Sequence, residues 1–183
     1  DAIGAAIAWK MFLEKQHSVL ESNDGGKTWE SWAERLPAPY RALFDGDVSK
    51  NNFNHIIVRP FLFGPKFPPE KVRQKSFYSL DGGKTFGETP FYIWAGRFDP
   101  HDRDGNHILG FAIENRTVVE SRDGGKTWEK VGTPTEINGQ DVKVSHFVWD
   151  PKDPNIVYMG GDRGNVWKSE DGGKSWSNIL SLD

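Results

Sequence analysis

The sequence predicts an all-β fold in which a four-stranded antiparallel unit is repeated along the chain. Two observations support this prediction. Aromatic residues make up 13% of the 183 residues and glycine occupies 20 positions, a composition that favours sheets and tight turns over helix bundles. A phrase of the form Ser-x-Asp-x-Gly-x-x-(Trp/Phe) also occurs four times, with its aspartates at Asp24, Asp81, Asp123 and Asp171.

The spacing of this phrase indicates which unit is repeated. Successive aspartates are 57, 42 and 48 residues apart, and a period of roughly 40–50 residues is that of a four-stranded propeller blade. We therefore expect a run of β-propeller blades, with approximate bounds 1–35, 36–91, 92–140 and 141–183.

The last repeat shows the strands of one predicted blade most clearly. Val144–Trp149 is rich in β-forming residues and ends at the turn DPKDPN, after which Asn155–Met159 follows. The turn GGDRG then leads to Asn165–Ser169, and the repeated phrase leads to Trp176–Ile179. These segments predict strands A to D. The first repeat has no segment for strand A, so we expect an incomplete ring or part of a larger propeller.

The repeated phrase is expected to build the scaffold rather than to perform chemistry. Aspartate and serine side chains can hydrogen-bond the backbone of a tight turn, and the paired glycines permit positive φ angles there. An aromatic residue stands five positions after each aspartate, and we expect it to be buried between neighbouring sheets. These aromatic residues are Trp29, Phe86, Trp128 and Trp176.

The sequence gives no support for a nucleotide, a metal ion or another cofactor. Each phrase contains Gly-Lys-(Thr/Ser) but lacks the glycine that a phosphate-binding loop carries five residues before its Gly-Lys pair. The acidic segment Asp99–His107 would place Pro100 at the first ligand position of a calcium loop. The five histidines have no zinc spacing, and cysteine is absent. We predict no metal and no cofactor.

Charge and hydropathy limit the partners and the location of the chain. A formal net charge of −3 gives no electrostatic reason to expect nucleic acid or an anionic membrane. No apolar run approaches the roughly 20 residues of a membrane helix, so no membrane insertion is expected. Because the chain begins at Asp1 rather than methionine, we expect that an upstream segment has been removed. A secreted or periplasmic location is the expectation for an interaction module of this kind.

The repeated phrase is that of the Asp-box, or BNR, repeat, so the chain resembles the Asp-box β-propellers. That group includes sialidases, xyloglucan-active glycosidases, sortilin-type receptors and photosystem II assembly factors. The resemblance covers nearly the whole chain and implies the fold, but it does not select an activity, because these families share the repeat and differ in function. It also implies that the Asp boxes lie on the rim opposite the ligand. A site is therefore expected on the rim formed by the B–C turns and D–A links.

One insertion departs from the repeat. The segment RPFLFGPKFPPEKVRQK, residues 59–75, accounts for the 57-residue spacing, and its prolines, aromatic residues and basic residues suit a recognition surface. The alternative is a long turn folded over its own blade. We predict that a protein partner or a glycan binds the B–C face, and that further blades of the same protein adjoin these. The predicted binding residues are Phe61, Phe63, Lys66, Phe67, Lys71, Arg73, Arg116 and Arg163.

Two hypotheses for function remain open. The first is a non-catalytic interaction module, and the alternative is part of a glycoside hydrolase. Sialidase activity is disfavoured, because the Arg-Ile-Pro motif of that family has no match and the arginines, among them Arg59 and Arg97, cannot be grouped from sequence. Resemblance to the xyloglucan-active enzymes implies two carboxylates across a cleft. Asp162, in the GGDRG turn, is the candidate for one of them; the second is not identified, and aspartate also simply favours such a turn.

Overall fold

The protein is described by a computed structural model that covers residues 6–9, 19–31, 35–37, 40, 42–61, 74–134, 144–161 and 164–181. At residues 6–9, 19, 42–44 and 61 it describes the backbone only. Over these residues the fold is all-β, as predicted, and contains fifteen strands in four antiparallel sheets.

The strands of each sheet follow one another in chain order. The first sheet contains β1 (Ala6–Trp9), β2 (Val19–Ser22) and β3 (Glu30–Ser31). The second contains β4 (Ala42–Val48), β5 (Ile56–Phe61), β6 (Phe77–Ser79) and β7 (Gly87–Glu88). The third contains β8 (Ile93–Phe98), β9 (Ile108–Ala112), β10 (Thr117–Ser121) and β11 (Glu129–Lys130). The fourth contains β12 (Val144–Trp149), β13 (Val157–Gly161), β14 (Val166–Ser169) and β15 (Ser177–Leu180).

The contacts between sheets give the arrangement of the blades. Strand β8 contacts β4 and β5 of the second sheet on one side and β12 of the fourth sheet on the other. The first strands of three successive sheets therefore lie side by side, as the inner strands of propeller blades do. Within the described part of the first sheet, β1 pairs with β2 and no inner strand precedes it. The sheets do not close into a ring, consistent with part of a propeller; the blade bounds given above stay a prediction.

The core lies between the third sheet and its neighbours. All five residues of β9 are buried, because the third sheet is covered on both faces. Its face towards the fourth sheet presents Leu109 and Phe111, which pack in one cluster with Phe147 and Trp167. The fourth sheet is covered on one face only: Val148, on its outer face, is 58% exposed. Among the described residues no helix is long and apolar enough to cross a membrane.

The box aromatics are less buried than the sequence led us to expect. Phe86, Trp128 and Trp176 are half-buried, and Trp29 is 40% exposed, so the expectation of burial is wrong for Trp29. The reason is that a box aromatic packs against the sheet that precedes its own. The indole N–H of Trp176 donates to the carbonyl of Gly132, at the end of the third sheet, over 3.0 Å. Within the part of the chain that the structure describes, no sheet precedes the first one, so Trp29 has no such neighbour.

Candidate functional site

Each Asp box is closed on itself by side-chain hydrogen bonds. In the third box the Ser121 hydroxyl donates to Asp123 over 2.9 Å, and the Thr127 N–H and hydroxyl donate to the same carboxylate over 2.9 and 2.6 Å. The N–H of Gly125 donates to Ser121 Oγ over 2.9 Å. The other three boxes repeat these bonds. Each aspartate carboxylate thus accepts hydrogen bonds from groups of its own turn.

These hydrogen bonds also stabilise the charge on the box carboxylates. The hydroxyl of Thr85 donates to Asp81, and this bond, with the N–H groups of the turn, lowers the pKa of Asp81 to about 2. The equivalent bond from Thr28 lowers the pKa of Asp24 to about 2. A carboxylate held in its charged form in this way is a poor general acid, which agrees with a structural role.

The A–B turns lie on the same rim as the Asp boxes. In three sheets the first glycine of the box donates its N–H to the carbonyl of an asparagine in the A–B turn, over 2.9–3.0 Å. These pairs are Gly82 with Asn54, Gly124 with Asn106, and Gly172 with Asn155. The B–C turns therefore lie at the opposite ends of the strands, where the sequence predicted a ligand face.

The structure describes few of the predicted binding residues. Phe63, Lys66, Phe67, Lys71, Arg73, Asp162 and Arg163 lie outside the described residues, and Phe61 is described by its backbone only. Arg116 is exposed in the B–C turn of the third sheet, where its φ of 48° is in the left-handed region. None of these assignments is tested by the structure, and they stay predictions.

A cleft that the sequence did not predict lies between the second and third sheets. Its walls come from β4, β5 and β8. Its polar and aromatic side chains are Asp45, Arg59, Trp94 and Arg97. Arg59, the first residue of the segment 59–75, is therefore part of the wall of this cleft.

Trp94 reaches this cleft from a β-bulge. Ile93 pairs with Ala112 and Ala95 pairs with Phe111, so Trp94 is the extra residue of β8 and opposes no partner on β9. A bulge interrupts the alternation of side chains between the two faces of a sheet and changes the direction in which the side chain of the extra residue points. Trp94 is accordingly half-buried, packed in part against the cluster of the third and fourth sheets, whereas its two strand neighbours are buried.

An arginine lies against the Trp94 ring. The guanidinium carbon of Arg59 lies 3.9 Å from the ring centroid, a close cation–π arrangement. Tyr92 meets the indole edge-on, with centroids 6.2 Å apart and an interplanar angle of 82°, and it is hydrogen-bonded to Arg59. Burial lowers the pKa of Arg59 and raises that of Tyr92. From the B–C turn, Glu114 accepts the N–H of Tyr92 over 3.0 Å and so fixes the start of β8.

The carboxylates of the cleft are already engaged. Arg97 donates to both oxygens of Asp45 over 3.2 Å, and Arg59 lies 4.0 Å from the same carboxylate. The two arginines that sequence could not group therefore meet at one aspartate. Asp47 accepts the N–H of Phe98 over 2.8 Å, while burial raises the pKa of Asp47. The described cleft thus offers an aromatic and cationic surface, and the carboxylates in it and beside it, Asp45 and Asp47, bind arginine or backbone N–H groups.

Metal binding has no support within the described ranges. Among those residues, no group of three or more histidine, cysteine, aspartate or glutamate side chains could hold a metal ion.

The comparison with family models defines the class of repeat. Residues 119–130, which contain the whole third box, match the model of the BNR/Asp-box repeat. Together with the four boxes and the four sheets, this match confirms the resemblance inferred from the phrase: the chain is built of Asp-box repeats in β-propeller-like sheets.

Relatives with curated names are similar over part of the chain. A xyloglucanase of Hypocrea jecorina is 34% identical over 72 residues, which are 37% of this chain and 9% of the xyloglucanase. The vacuolar protein sorting/targeting protein 10 of Kluyveromyces lactis is 33% identical over 86 residues, 42% of this chain and 5% of that protein. The chain thus spans less than a tenth of either relative.

A solved structure confirms the fold over most of the chain. The GH74 xyloglucanase from Xanthomonas campestris superposes with a TM-score of 0.70 and 16% sequence identity, over 91% of this chain and 28% of that one. At this identity the likeness concerns the fold alone.

Proposed function

We propose that the chain is a non-catalytic segment of a larger, secreted or periplasmic β-propeller protein and that it binds a glycan in the cleft between the second and third sheets. The observation that supports this most is the half-buried Trp94, placed by a bulge in the wall of the cleft beside the buried Arg59. Glycan sites combine an apolar ring face, which contacts sugar C–H groups, with a few fixed polar groups that orient hydroxyls. Arg97 and Asp45 lie close enough to supply such groups.

The relatives support a particular glycan. The xyloglucanase of Hypocrea jecorina is named for its action on xyloglucan, so we propose xyloglucan as the glycan for this chain. The vacuolar sorting relative supports the other hypothesis, a protein ligand on the same face. The cleft favours the glycan, because its lining combines the Trp94 ring and aliphatic side chains with the polar groups of Asp45 and Arg97.

The insertion after β5 is proposed to extend this surface. The first residue of the segment 59–75, Arg59, lines the cleft. Loops on a rigid scaffold tend to carry binding residues. Lys66, Phe67, Lys71 and Arg73 are therefore kept as proposed contacts of the ligand.

Affinity electrophoresis in gels with and without xyloglucan tests the proposed function. We expect the chain to be retarded by xyloglucan, and Trp94→Ala to weaken binding roughly tenfold, about 1.4 kcal/mol. Trp29→Ala is the matched control, because Trp29 is also partly exposed but lies in the Asp box of the first sheet. Equal retardation of the two variants, or retardation of neither variant nor the unmodified chain, would contradict glycan binding in the cleft.

Part of a glycoside hydrolase is the second candidate, favoured by the xyloglucanase relatives. It requires two carboxylates roughly 6.5–9.5 Å apart if the mechanism inverts, and Asp162 remains the proposed first one. The test is release of reducing sugar from xyloglucan by the full-length protein and by its Asp162→Asn variant. Release by the unmodified protein that the variant abolishes would establish the hydrolase and overturn the non-catalytic proposal.

The outer face of the fourth sheet supports further blades in the same protein. Val148 and Leu180 are 58% and 47% exposed there, whereas the equivalent face of the third sheet is covered by the fourth. A further sheet would remove these side chains from water and so stabilise both sheets. Reduced exchange of the β12 and β15 amide hydrogens in the full-length protein, relative to this chain alone, is the expected result.

A further inference from the structure

Six aspartates of the chain are followed directly by glycine, and the structure describes all six pairs. In an Asp-Gly pair the glycine nitrogen can attack the side-chain carboxyl of the aspartate, because glycine has no side chain to hinder the approach and permits the backbone angles that it requires. The product is a cyclic succinimide, which water opens to isoaspartate or back to aspartate. The six aspartates are Asp24, Asp45, Asp81, Asp104, Asp123 and Asp171.

Five of these six carboxylates are held by hydrogen bonds. Each box aspartate accepts from the N–H and the hydroxyl of the threonine or serine four positions later. Asp45 accepts from Arg97 with both oxygens. Such bonds keep a carboxylate ionised and fix its direction, whereas the attack needs a neutral carboxyl that can turn towards the glycine nitrogen. In three boxes that nitrogen is engaged as well, since its N–H donates to an asparagine carbonyl.

Asp104 differs from the other five. It is exposed in the turn after β8, and within the described ranges its carboxylate has neither a hydrogen bond nor an ion pair. The N–H of Gly105 donates to the carbonyl of Asp102 over 3.1 Å and closes a four-residue turn. Both central residues of this turn, Arg103 and Asp104, are exposed. Exposed turns with few contacts open at low cost in free energy, so the nitrogen of Gly105 becomes available beside a free carboxyl.

We infer that Asp104 is the position at which the folded chain forms isoaspartate. The nitrogen of Gly105 bonds to Cγ of the neutral Asp104 carboxyl, and the carboxyl hydroxyl leaves with the amide proton as water. A water molecule then adds to the backbone carbonyl carbon of Asp104 and breaks its bond to the nitrogen. The main chain now runs through Cβ and Cγ and is one carbon longer. No enzyme or cofactor is needed, and the modification does not depend on the proposed function.

The turn that contains Asp104 is also a contact between the second and third sheets. Nδ1 of His55 lies 2.9 Å from the carbonyl oxygen of Gly105. A β-carbon at Gly105 would overlap with Oγ of Ser49 and lie 2.9 Å from Cβ of Asn52, so the two turns leave no room for an added atom. A main chain that is one carbon longer at position 104 displaces Gly105 from this contact. Isomerisation is therefore expected to weaken the packing of the two sheets that form the cleft.

Peptide mapping of the chain after storage at neutral pH tests the position. We expect isoaspartate to accumulate at Asp104 several-fold faster than at the four box aspartates. The chain stored in urea is the control, because unfolding removes the hydrogen bonds of the boxes and should make the rates similar. Isoaspartate at equal rates in all six pairs of the folded chain, or none at Asp104, would overturn the inference. A preference for Asp104 that persists unchanged in urea would show that the fold does not cause it.

The Asp104→Glu variant tests the effect on the contact between the sheets. It keeps the charge, and attack on its longer side chain would require a less favourable six-membered ring. It is expected to fold normally, because position 104 is exposed. Thermal unfolding should show that storage lowers the stability of the unmodified chain and leaves that of Asp104→Glu unchanged. An equal loss in the two proteins, or no loss in an unmodified chain that contains isoaspartate at position 104, would contradict the predicted weakening of the contact.

Discussion

The side chains of the Asp box act locally, within one turn. Among the described residues, the side chain of Asp123 is hydrogen-bonded to groups between Ser121 and Thr127, and the equivalent aspartates are bonded within their own boxes in the same way. Such short-range bonds need no distant partner, which is why the role of these residues could be predicted from the phrase alone. The exposure of Trp29 could not be predicted from the phrase, because it depends on which sheet lies beside the first sheet.

Removing one box carboxylate should cost stability without affecting binding. Asp123→Ala leaves the Thr127 N–H and the Ser121 hydroxyl without their acceptor, and we expect a loss of about 1–3 kcal/mol in the free energy of unfolding. Chemical denaturation measures it. Asp104→Ala, at an exposed position in the turn after β8, should change stability by less than about 0.5 kcal/mol. A stable Asp123→Ala variant that had lost glycan binding would contradict the structural role.

The box carboxylates also predict how stability depends on pH. The pKa of Asp81 is about 2 in the folded chain, below its ordinary value of 3.8, so the folded state binds fewer protons than the unfolded state. This contribution to stability is present above about pH 4 and is lost as the pH falls towards 2. Thermal unfolding recorded from pH 5 to pH 2 should show a smaller decrease for Asp81→Asn than for the unmodified chain. The same decrease in Asp81→Asn and in the unmodified chain would contradict a contribution of Asp81 to the pH dependence of stability.

At the scale of the elements, neighbouring sheets are joined where the second glycine of a box meets the preceding sheet. A β-carbon at Gly125 would lie 2.8 Å from Cβ of Tyr78 on β6, whereas at Gly26 it would lie 3.6 Å from Trp29 of its own box. Both glycines have positive φ, 102° and 87°. The backbone strain of a substitution is thus common to both, and the contact with a preceding sheet is specific to Gly125.

Alanine substitutions at Gly26 and Gly125 therefore distinguish the cost of backbone strain from the cost of overpacking against the preceding sheet. Gly125→Ala should lower the free energy of unfolding by about 1–3 kcal/mol more than Gly26→Ala, because alanine at position 125 overpacks the contact between the second and third sheets. Urea denaturation of the two variants gives the difference directly. Equal losses would show that the box does not pack on the preceding sheet as described.

At the scale of the elements, some of the β-bulges could be predicted from the sequence and others could not. In β12, where Ser145 is the extra residue of a bulge, the polar pair Ser145 and His146 interrupts an otherwise alternating pattern, and this interruption could have indicated the bulge. In β8 no such signal exists, since Trp94 stands in the mixed run IWAGRF. The contact between Trp94 and Arg59 joins residues 35 positions apart on different sheets. Contacts of this kind depend on how the sheets stack, and no local pattern predicts them.

For the whole molecule, the sheets form a stack whose last member is open on one side. Two valines of the fourth sheet test this arrangement. Val148→Lys, on the open face, should change the free energy of unfolding by less than about 0.5 kcal/mol, and Val157→Lys, at a fully buried position, should lower it by about 4 kcal/mol or more. Thermal unfolding with circular dichroism distinguishes them. A large loss in both would mean that the outer face is covered within the chain itself.

The central claim, that a glycan binds between the second and third sheets, is tested most directly by amide hydrogen exchange with and without xyloglucan. We predict slower exchange on addition of xyloglucan in residues 45–46, 57–59, 93–94 and 96–97, which line the cleft, and no change in the Asp-box turns. Slower exchange confined to the Asp-box turns, or no change anywhere in the chain at saturating xyloglucan, would contradict it.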